Sequence, residues 1–212
     1  NLVKKLKDAV NILPVTSIDL IFNFPNQTKD MLLNDINLAK SIEAQQITFY
    51  PLMKSNLTKA KIASSLGNSY KDNEYEFYSI IEENFKDYHK NNAWSYAKEK
   101  TSLNDEYVSS NHEYLGIGSG GFSFLGGELF VNAFNLQKYS EKIQNGKSSV
   151  IARCEFNPKE RIKYLFLTEI FSGFIDIDKF NQTNNTNLLK TLNLELKLLD
   201  IIGAIEIQNN NI

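Results

Sequence analysis

The strongest constraint on this chain is a strand, a helix and a second strand in close succession within its first quarter. Ser17-Ile18-Asp19-Leu20-Ile21-Phe22 is a short, mostly apolar run of the kind a buried parallel strand uses. A turn-rich patch follows, Asn23-Phe24-Pro25-Asn26-Gln27, after which Thr28 is placed to cap a helix. Leu32, Leu33, Ile36, Ala39 and Ile42 recur there at helical spacing. Ile47-Thr48-Phe49-Tyr50 then reads as a strand that stops at Pro51. This is a βαβ unit, and it points to an α/β fold.

Further along, the chain turns polar, and its texture changes after Asn91-Asn92. A short helix is expected over 59–66, then a longer amphipathic one carrying Phe77, Tyr78, Ile81, Phe85 and Tyr88 on one side. Short strands are expected over 93–97 and 106–109. Tyr114 to Phe134 holds a Gly-rich run, an aromatic strand and a hairpin about Gly126-Gly127. The final third reads as helical. Pro158 sits where it can open a helix, and Leu188, Leu189, Leu192, Leu196 and Leu199 form one stripe. Helices with a small β element suggest a winged-helix-like appendage.

Charge and cysteine count exclude several function classes. Lysine and arginine number 23 against 25 acidic residues, a formal charge of −2. A duplex-backbone binder needs a basic surface to release counterions, so nucleic acid is not an expected partner. No apolar run reaches the roughly 20 residues of a membrane helix, and a cytoplasmic location is expected. The single cysteine, Cys154, can form neither an intramolecular disulfide nor a multi-thiolate cluster from this chain alone. The first residue is Asn, and the chain reads as a segment that begins inside a longer protein.

Several motifs look chemical and are weighed against structural readings. Gly116-Ile117-Gly118-Ser119-Gly120-Gly121 formally matches the dinucleotide fingerprint. That fingerprint needs a helix after it, whereas Phe122-Ser123-Phe124-Leu125 continues as a strand. The glycines are better explained by close approach of backbone to a neighbouring strand or a bulky ligand. His89 and His112 have no partner at metal-ligand spacing, so no metal site is expected. Cys154 reads as a small buried residue rather than a nucleophile. Asp19 is the residue that resists a packing explanation. A carboxylate in an apolar strand either turns to the rim in a local cap or ion pair, or borders the ligand crevice of an α/β fold.

Four segments, in order, resemble the oxygen-independent coproporphyrinogen III oxidases of the radical SAM family and their heme-chaperone relatives. Ile18-Asp19-Leu20-Ile21-Phe22-Asn23-Phe24-Pro25-Asn26-Gln27-Thr28 resembles the family's IDLI-x-G-x-PGQT segment, with Asn23 and Asn26 in place of both glycines. Asn is the non-glycine residue most tolerant of left-handed backbone. Ile47 to Leu52 resembles the next barrel strand. Tyr114 to Phe124 resembles the YLG-x-G-x-GA-x-S segment, and Asn132 to Tyr139 an N-to-Tyr stretch before a helix.

The resemblance implies a partial (β/α) radical SAM-type barrel half with added β-strands over 1–150, followed by a mostly helical, winged-helix-like C-terminal domain over 151–212. It implies S-adenosylmethionine and a [4Fe–4S] cluster in the full-length protein, with neither expected bound to this segment, because the cluster's cysteines lie N-terminal to everything present. Asp19, Met53 and Phe122 would lie beside S-adenosylmethionine; no catalytic residue is assigned. The implied partners are a tetrapyrrole substrate or heme and the N-terminal half of the same protein. The implied function is oxidative decarboxylation of coproporphyrinogen III propionates. A heme-binding or heme-delivery relative is the alternative, and Phe122, where many chaperone relatives have His, argues mildly against it. A winged-helix DNA-binding protein is a further alternative, disfavoured because Leu188 to Leu199 carries only Lys190 and Lys197. Of the aromatic residues Phe49, Tyr50, Trp94, Tyr96, Phe122 and Phe124, which could face a flat macrocycle, most are expected to be core.

Overall fold

The structure is a computed structural model that describes residues 2–53, 63–65, 67, 72–99 and 112–212. The helix expected over 59–66 lies mostly, and the strand over 106–109 wholly, outside these residues. By packing, the chain divides into two compact units, Asn1–Leu103 and Asn104–Ile212.

The first unit opens with helix α1 (Leu2–Ile12) and contains the expected βαβ: β1 (Ser17–Phe22), α2 (Lys29–Ile42) and β2 (Gln46–Pro51). The hydroxyl of Thr28 accepts from Met31 N, as a cap should, and Leu32, Ile36, Ala39 and Ile42 are the buried stripe. Strands β1 and β2 pair in parallel, Asp19 opposite Thr48. Helix α3 (Glu74–Asn84) and the short antiparallel strands β3 (His89–Lys90) and β4 (Ser95–Ala97) complete an open sheet in the order β1-β2-β4-β3. Strand β4 starts two residues later than the sequence suggests, because Asn92 Oδ1 accepts from Trp94 N and Ser95 N and holds them in a turn. Among the described residues no strands close a barrel, in keeping with a partial α/β fold.

One face of this sheet makes the core. Phe22, Ile47, Phe49 and Tyr96 pack against Leu32 and Ile36 of α2 and against Phe77 and Ile81 of α3, with Phe85 just beyond it. Phe49 and Tyr96, candidates for a ligand wall, are core residues, as is Phe124 of the second unit.

The second unit holds an antiparallel sheet, β5 (Phe122–Leu125), β6 (Glu128–Asn132) and β7 (Val150–Glu155), in that order. Gly126 and Gly127 take φ of 61° and 83° between β5 and β6, the left-handed pair of a tight hairpin. Helix α4 (Leu136–Gln144) lies between β6 and β7, and α5 (Pro158–Glu169) follows. Asn157 and Glu160 form a reciprocal capping box at the start of α5, with Pro158 in its first turn. The stretch from 176 forms helix α6 (Ile177–Asn184), capped by Asp176. The leucine-rich helix is interrupted. It forms α7 (Leu188–Thr191) and α8 (Asn193–Ile201), with Leu192 at φ −112° and ψ 27° between them. The break keeps Leu188, Leu192 and Leu196 all buried.

Phe124 belongs to the same core as Ile162, Leu165, Phe166, Phe180 and Leu188. The Gly-rich hairpin therefore packs with the helical tail, across the division expected between residues 150 and 151. Cys154 corrects another expectation: it is exposed, because β7 is an edge strand with little packed against it. No described helix is long and apolar enough to cross a membrane.

In this unit Glu195 Oε1 accepts from Lys159 at 2.9 Å and Lys163 at 2.8 Å. The bonds from Lys163 and Lys159 pull its carboxyl down to about 2. A depressed folded-state value means that this stabilisation is present above the unfolded carboxylate range and lost as pH falls toward 2. Stability measured by urea titration is expected to decline from about pH 5 downward, and Glu195→Gln should flatten that part of the profile. A profile unchanged by the substitution would remove Glu195 as its cause.

Candidate functional site

The second face of the first sheet is polar although much of it is buried. Side chains in register share a face, so Ser17 lies with Gln46 and Ala97, and Asp19 with Thr48 and Ser95. Gln46, Thr48 and Ser95 are fully buried. Their polar atoms are paired across the strands: Thr48 Oγ1 lies 2.9 Å from Ser95 Oγ, Gln46 Nε2 donates to Ser17 Oγ at 3.3 Å, and Asn91 Nδ2 donates to Gln46 Oε1 at 3.0 Å. Tyr50 continues this face toward the carboxyl end of β2, with its ring 5.6 Å from that of Trp94. Of the polar residues in register on this face, Ser17 and Asp19 of β1 are exposed, so a ligand here would meet them with the paired Gln46, Thr48 and Ser95 behind.

The signal for this band was present in Gln46-Ile47-Thr48-Phe49-Tyr50, where polar and apolar residues alternate. Sequence reasoning singled out Asp19 and Tyr50 on this face and missed Gln46, Thr48, Ser95 and Asn91. Asn92 adds to it. Its Oδ1 is taken by two backbone N–H groups, which fixes the amide orientation, and its Nδ2 is buried without a partner. Such donors are ordinarily satisfied by water or ligand.

The carboxyl ends of β1 and β2 border a cavity of about 440 Å³, lined by Phe22, Pro51, Asp72, Tyr75, Tyr78 and Trp94 among others. Asn23 and Asn26 both take φ of 65°, the left-handed backbone expected of residues standing in for glycine. Asn23 does more than a glycine could: Nδ2 donates to Asp72 Oδ1 at 2.9 Å, tying the cavity wall to the end of β1. Gln27 Oε1 closes the turn by accepting from Asn23 N at 2.8 Å. Below the rim, Tyr96 OH donates to Glu82 at 3.0 Å, and Lys90 Nζ bridges Glu82 and Tyr78 OH. Burial, with Tyr78 and Glu82 nearby, holds the Tyr96 phenol well above its usual range, so it stays a donor.

The expected site residues stand as follows. Asp19 is exposed on the polar face, in the middle of β1 rather than at its end. Met53 is exposed two residues past β2. Asp19 thus sits in mid-strand, opposite Thr48, and Met53 beyond the carboxyl end of the neighbouring strand. Phe122 opens β5 in the second unit, partly exposed, with its ring edge-on to Phe134 at 6.0 Å.

The Gly-rich run is a turn folded back on β5, not a strand-to-helix junction. Gly121 N donates to Gly118 O, and Gly116 N donates to Ser123 Oγ at 3.0 Å. Asn132 organises it: Nδ2 donates to Gly116 O at 3.2 Å and Gly118 O at 3.1 Å, while Oδ1 accepts from Ser149 Oγ. The first residue of the N-to-Tyr motif is thus the clamp of the Gly-rich motif. Both, with Tyr139, line a mostly apolar cavity of about 410 Å³.

Among the described residues no cluster of His, Cys, Asp and Glu could hold a metal ion. An iron–sulfur cluster held by three thiolates does not fit this chain, whose one cysteine is exposed on an edge strand.

No protein-family model matches the chain. It is 28% identical over 133 residues to the heme chaperone HemW of Bacillus subtilis (strain 168), a match covering 60% of this chain and 35% of that protein. Its fold is similar to coproporphyrinogen III oxidase (HemN) from Escherichia coli, a radical SAM enzyme, with a TM-score of 0.71 and 14% identity. That likeness covers 99% of this chain and 54% of the other. The chain thus spans about a third of the length of one relative and about half of the other. The resemblance carried by the four motifs is borne out: this chain is similar to the C-terminal portion of a HemN-like radical SAM protein.

Proposed function

We propose that this chain supplies part of the cofactor- and substrate-facing wall of a radical SAM protein that handles a porphyrin-type tetrapyrrole. The observation that carries the reading is the polar, largely buried face of the first sheet, with Asp19 in register with Thr48 and Ser95. S-adenosylmethionine, held by such a face, would offer its ribose hydroxyls and ammonium group as donors to the exposed Asp19, with the buried Thr48–Ser95 pair behind it. When bound to a reduced cluster it supplies a radical that removes hydrogen from substrate. The cluster would be held elsewhere in the parent protein. The residues here bind, orient and screen from water, and no chemical step is assigned to them. The division into a barrel part over 1–150 and a helical part over 151–212 belongs to this proposal as a division of the family's sequence, distinct from the packing units that meet at 103/104, as does a cytoplasmic setting.

Oxidative decarboxylation of coproporphyrinogen III propionates is the first reading, supported by the fold likeness to the oxidase along nearly the whole chain. Heme delivery is the second, supported by the sequence likeness to HemW. Titrating the complete, reconstituted protein separates them. Vinyl product from coproporphyrinogen III supports the oxidase, and stoichiometric heme binding without product supports delivery. Neither result would end the tetrapyrrole reading. In the complete protein, Asp19→Ala is expected to weaken S-adenosylmethionine binding by about 1.5–3 kcal/mol, the range for a hydrogen bond to a charged group. Calorimetry showing unchanged affinity in a folded variant would remove Asp19 from the site.

A further inference from the structure

The chain has two arginines, and the structure treats them differently. Arg153 forks onto Glu128 across the β6–β7 pair, with its guanidinium over the ring of Phe130. The side chain of Arg161, in the first turns of α5, makes no hydrogen bond or ion pair among the described residues, and the residue is only partly exposed. It lies across the hairpin tip, where a side chain at Gly127 would come within 3.3 Å of its Cδ. Gly127 therefore leaves room for the arginine to lie flat. Its guanidinium, with five donors and no protein acceptor among the described residues, faces a cavity.

Arg161 lines a cavity of about 460 Å³ together with Lys159, Gly127, Asn185, Thr186 and Thr191. Lys159 and Lys163 share one carboxylate, Glu195, which leaves an excess of positive charge beside the cavity. Neither Glu113 nor Glu160 pairs with Arg161: Glu113 accepts from Gly126 N, and Glu160 from Asn157 N in the capping box. Thr186 Oγ1 and Thr191 Oγ1 lie 3.2 Å apart, so one hydroxyl proton serves the pair and the other is left for an outside acceptor. Burial, then Lys179 and Arg161, hold the His112 imidazole below its usual value, as a locally positive field would.

We infer that this cavity binds an oxyanion group of a small molecule, a phosphate or a carboxylate, with Arg161 as the forked donor and the Thr186–Thr191 pair as the second. The planar fork of arginine matches both groups, and a cavity of this size admits more than the bare ion. The inference concerns residues away from the polar sheet face and stands whether or not the tetrapyrrole reading holds.

Calorimetric titration of the 212-residue chain with inorganic phosphate, pyrophosphate and succinate, at constant ionic strength, tests it. Saturable one-to-one binding of at least one probe is expected. Arg161→Gln should weaken it about tenfold or more, Thr186→Val by less, and Arg153→Gln not at all. A preference for the phosphates identifies a phosphate ester as the ligand class, and a preference for succinate a carboxylate. Circular dichroism establishes that each variant is folded, and Arg161→Lys, which keeps the charge without the fork, should still lose affinity. Non-saturating titrations with all three probes, or full affinity in folded Arg161→Gln, would overturn the inference.

Discussion

Gly116→Ala is expected to destabilise the second unit by about 3 kcal/mol or more, the upper end for forced overpacking. A Cβ at this position would stand 2.1 Å from Phe122 O and 2.6 Å from Phe122 N. Both are backbone atoms of β5 and cannot swing aside like a side-chain tip. Relief requires the turn to lift from the strand, which breaks the bonds from Asn132 Nδ2 to Gly116 O and from Gly116 N to Ser123 Oγ. Gly146→Ala is the matched control. Its φ is 64° with nothing within 4 Å, so only the left-handed penalty of about 1 kcal/mol applies. Urea unfolding of both variants should separate the two costs. If Gly116→Ala costs no more than Gly146→Ala, the close approach of turn and strand described here is wrong.

Phe124→Ala is expected to cost about 3–5 kcal/mol, the range for emptying a buried aromatic site. Phe124 is fully buried, with the Tyr164 ring 4.6 Å away and those of Phe156 and Tyr114 at 6.0 Å and 6.3 Å. It is the hairpin's fully buried contribution to a core made mostly by helices. Loss of helical signal at lower urea, together with loss of the hairpin, would show that residues on both sides of position 150 unfold as one unit. Phe134→Ala, in contrast, should cost about 0.5 kcal/mol, since Phe134 is mostly exposed. Independent unfolding of hairpin and helices in Phe124→Ala would place the packing boundary near 150 instead.

The legible parts of this chain were those governed by neighbours in sequence. Thr28 before an apolar helical stripe, Pro158 after Asn157, and Gly126-Gly127 between aromatic runs each dictate a local geometry, and each element formed there. Asn23 and Asn26 were legible too, because tolerance of positive φ is a property of the residue itself. Asp176 before Ile177 was a cap signal of the same kind, hidden by the asparagines and threonines that follow it. Leu192 shows the opposite case. Its helical periodicity is sound, yet the chain breaks there, and burial of the leucines is preserved on two short helices rather than one.

The site was less legible than the fold. Asp19 stood out because a carboxylate is conspicuous in an apolar strand. Gln46, Thr48 and Ser95 did not, since a buried polar residue looks like any other until its partner across the sheet is known. Cys154 was misjudged for the same reason: burial depends on what covers β7, and nothing near residue 154 in sequence specifies that. The difference between Arg153 and Arg161 likewise follows from Glu128 lying on an adjacent strand and Gly127 beneath the other arginine.

By itself the sequence determined the βαβ start, the turn residues, the helix caps and the likeness to a radical SAM family, because periodicity, φ preference and motif order are local or linear properties. Which polar groups are paired, which cation is left over, and which hairpin joins which core were decided only in three dimensions, because each depends on contacts between residues far apart in the chain.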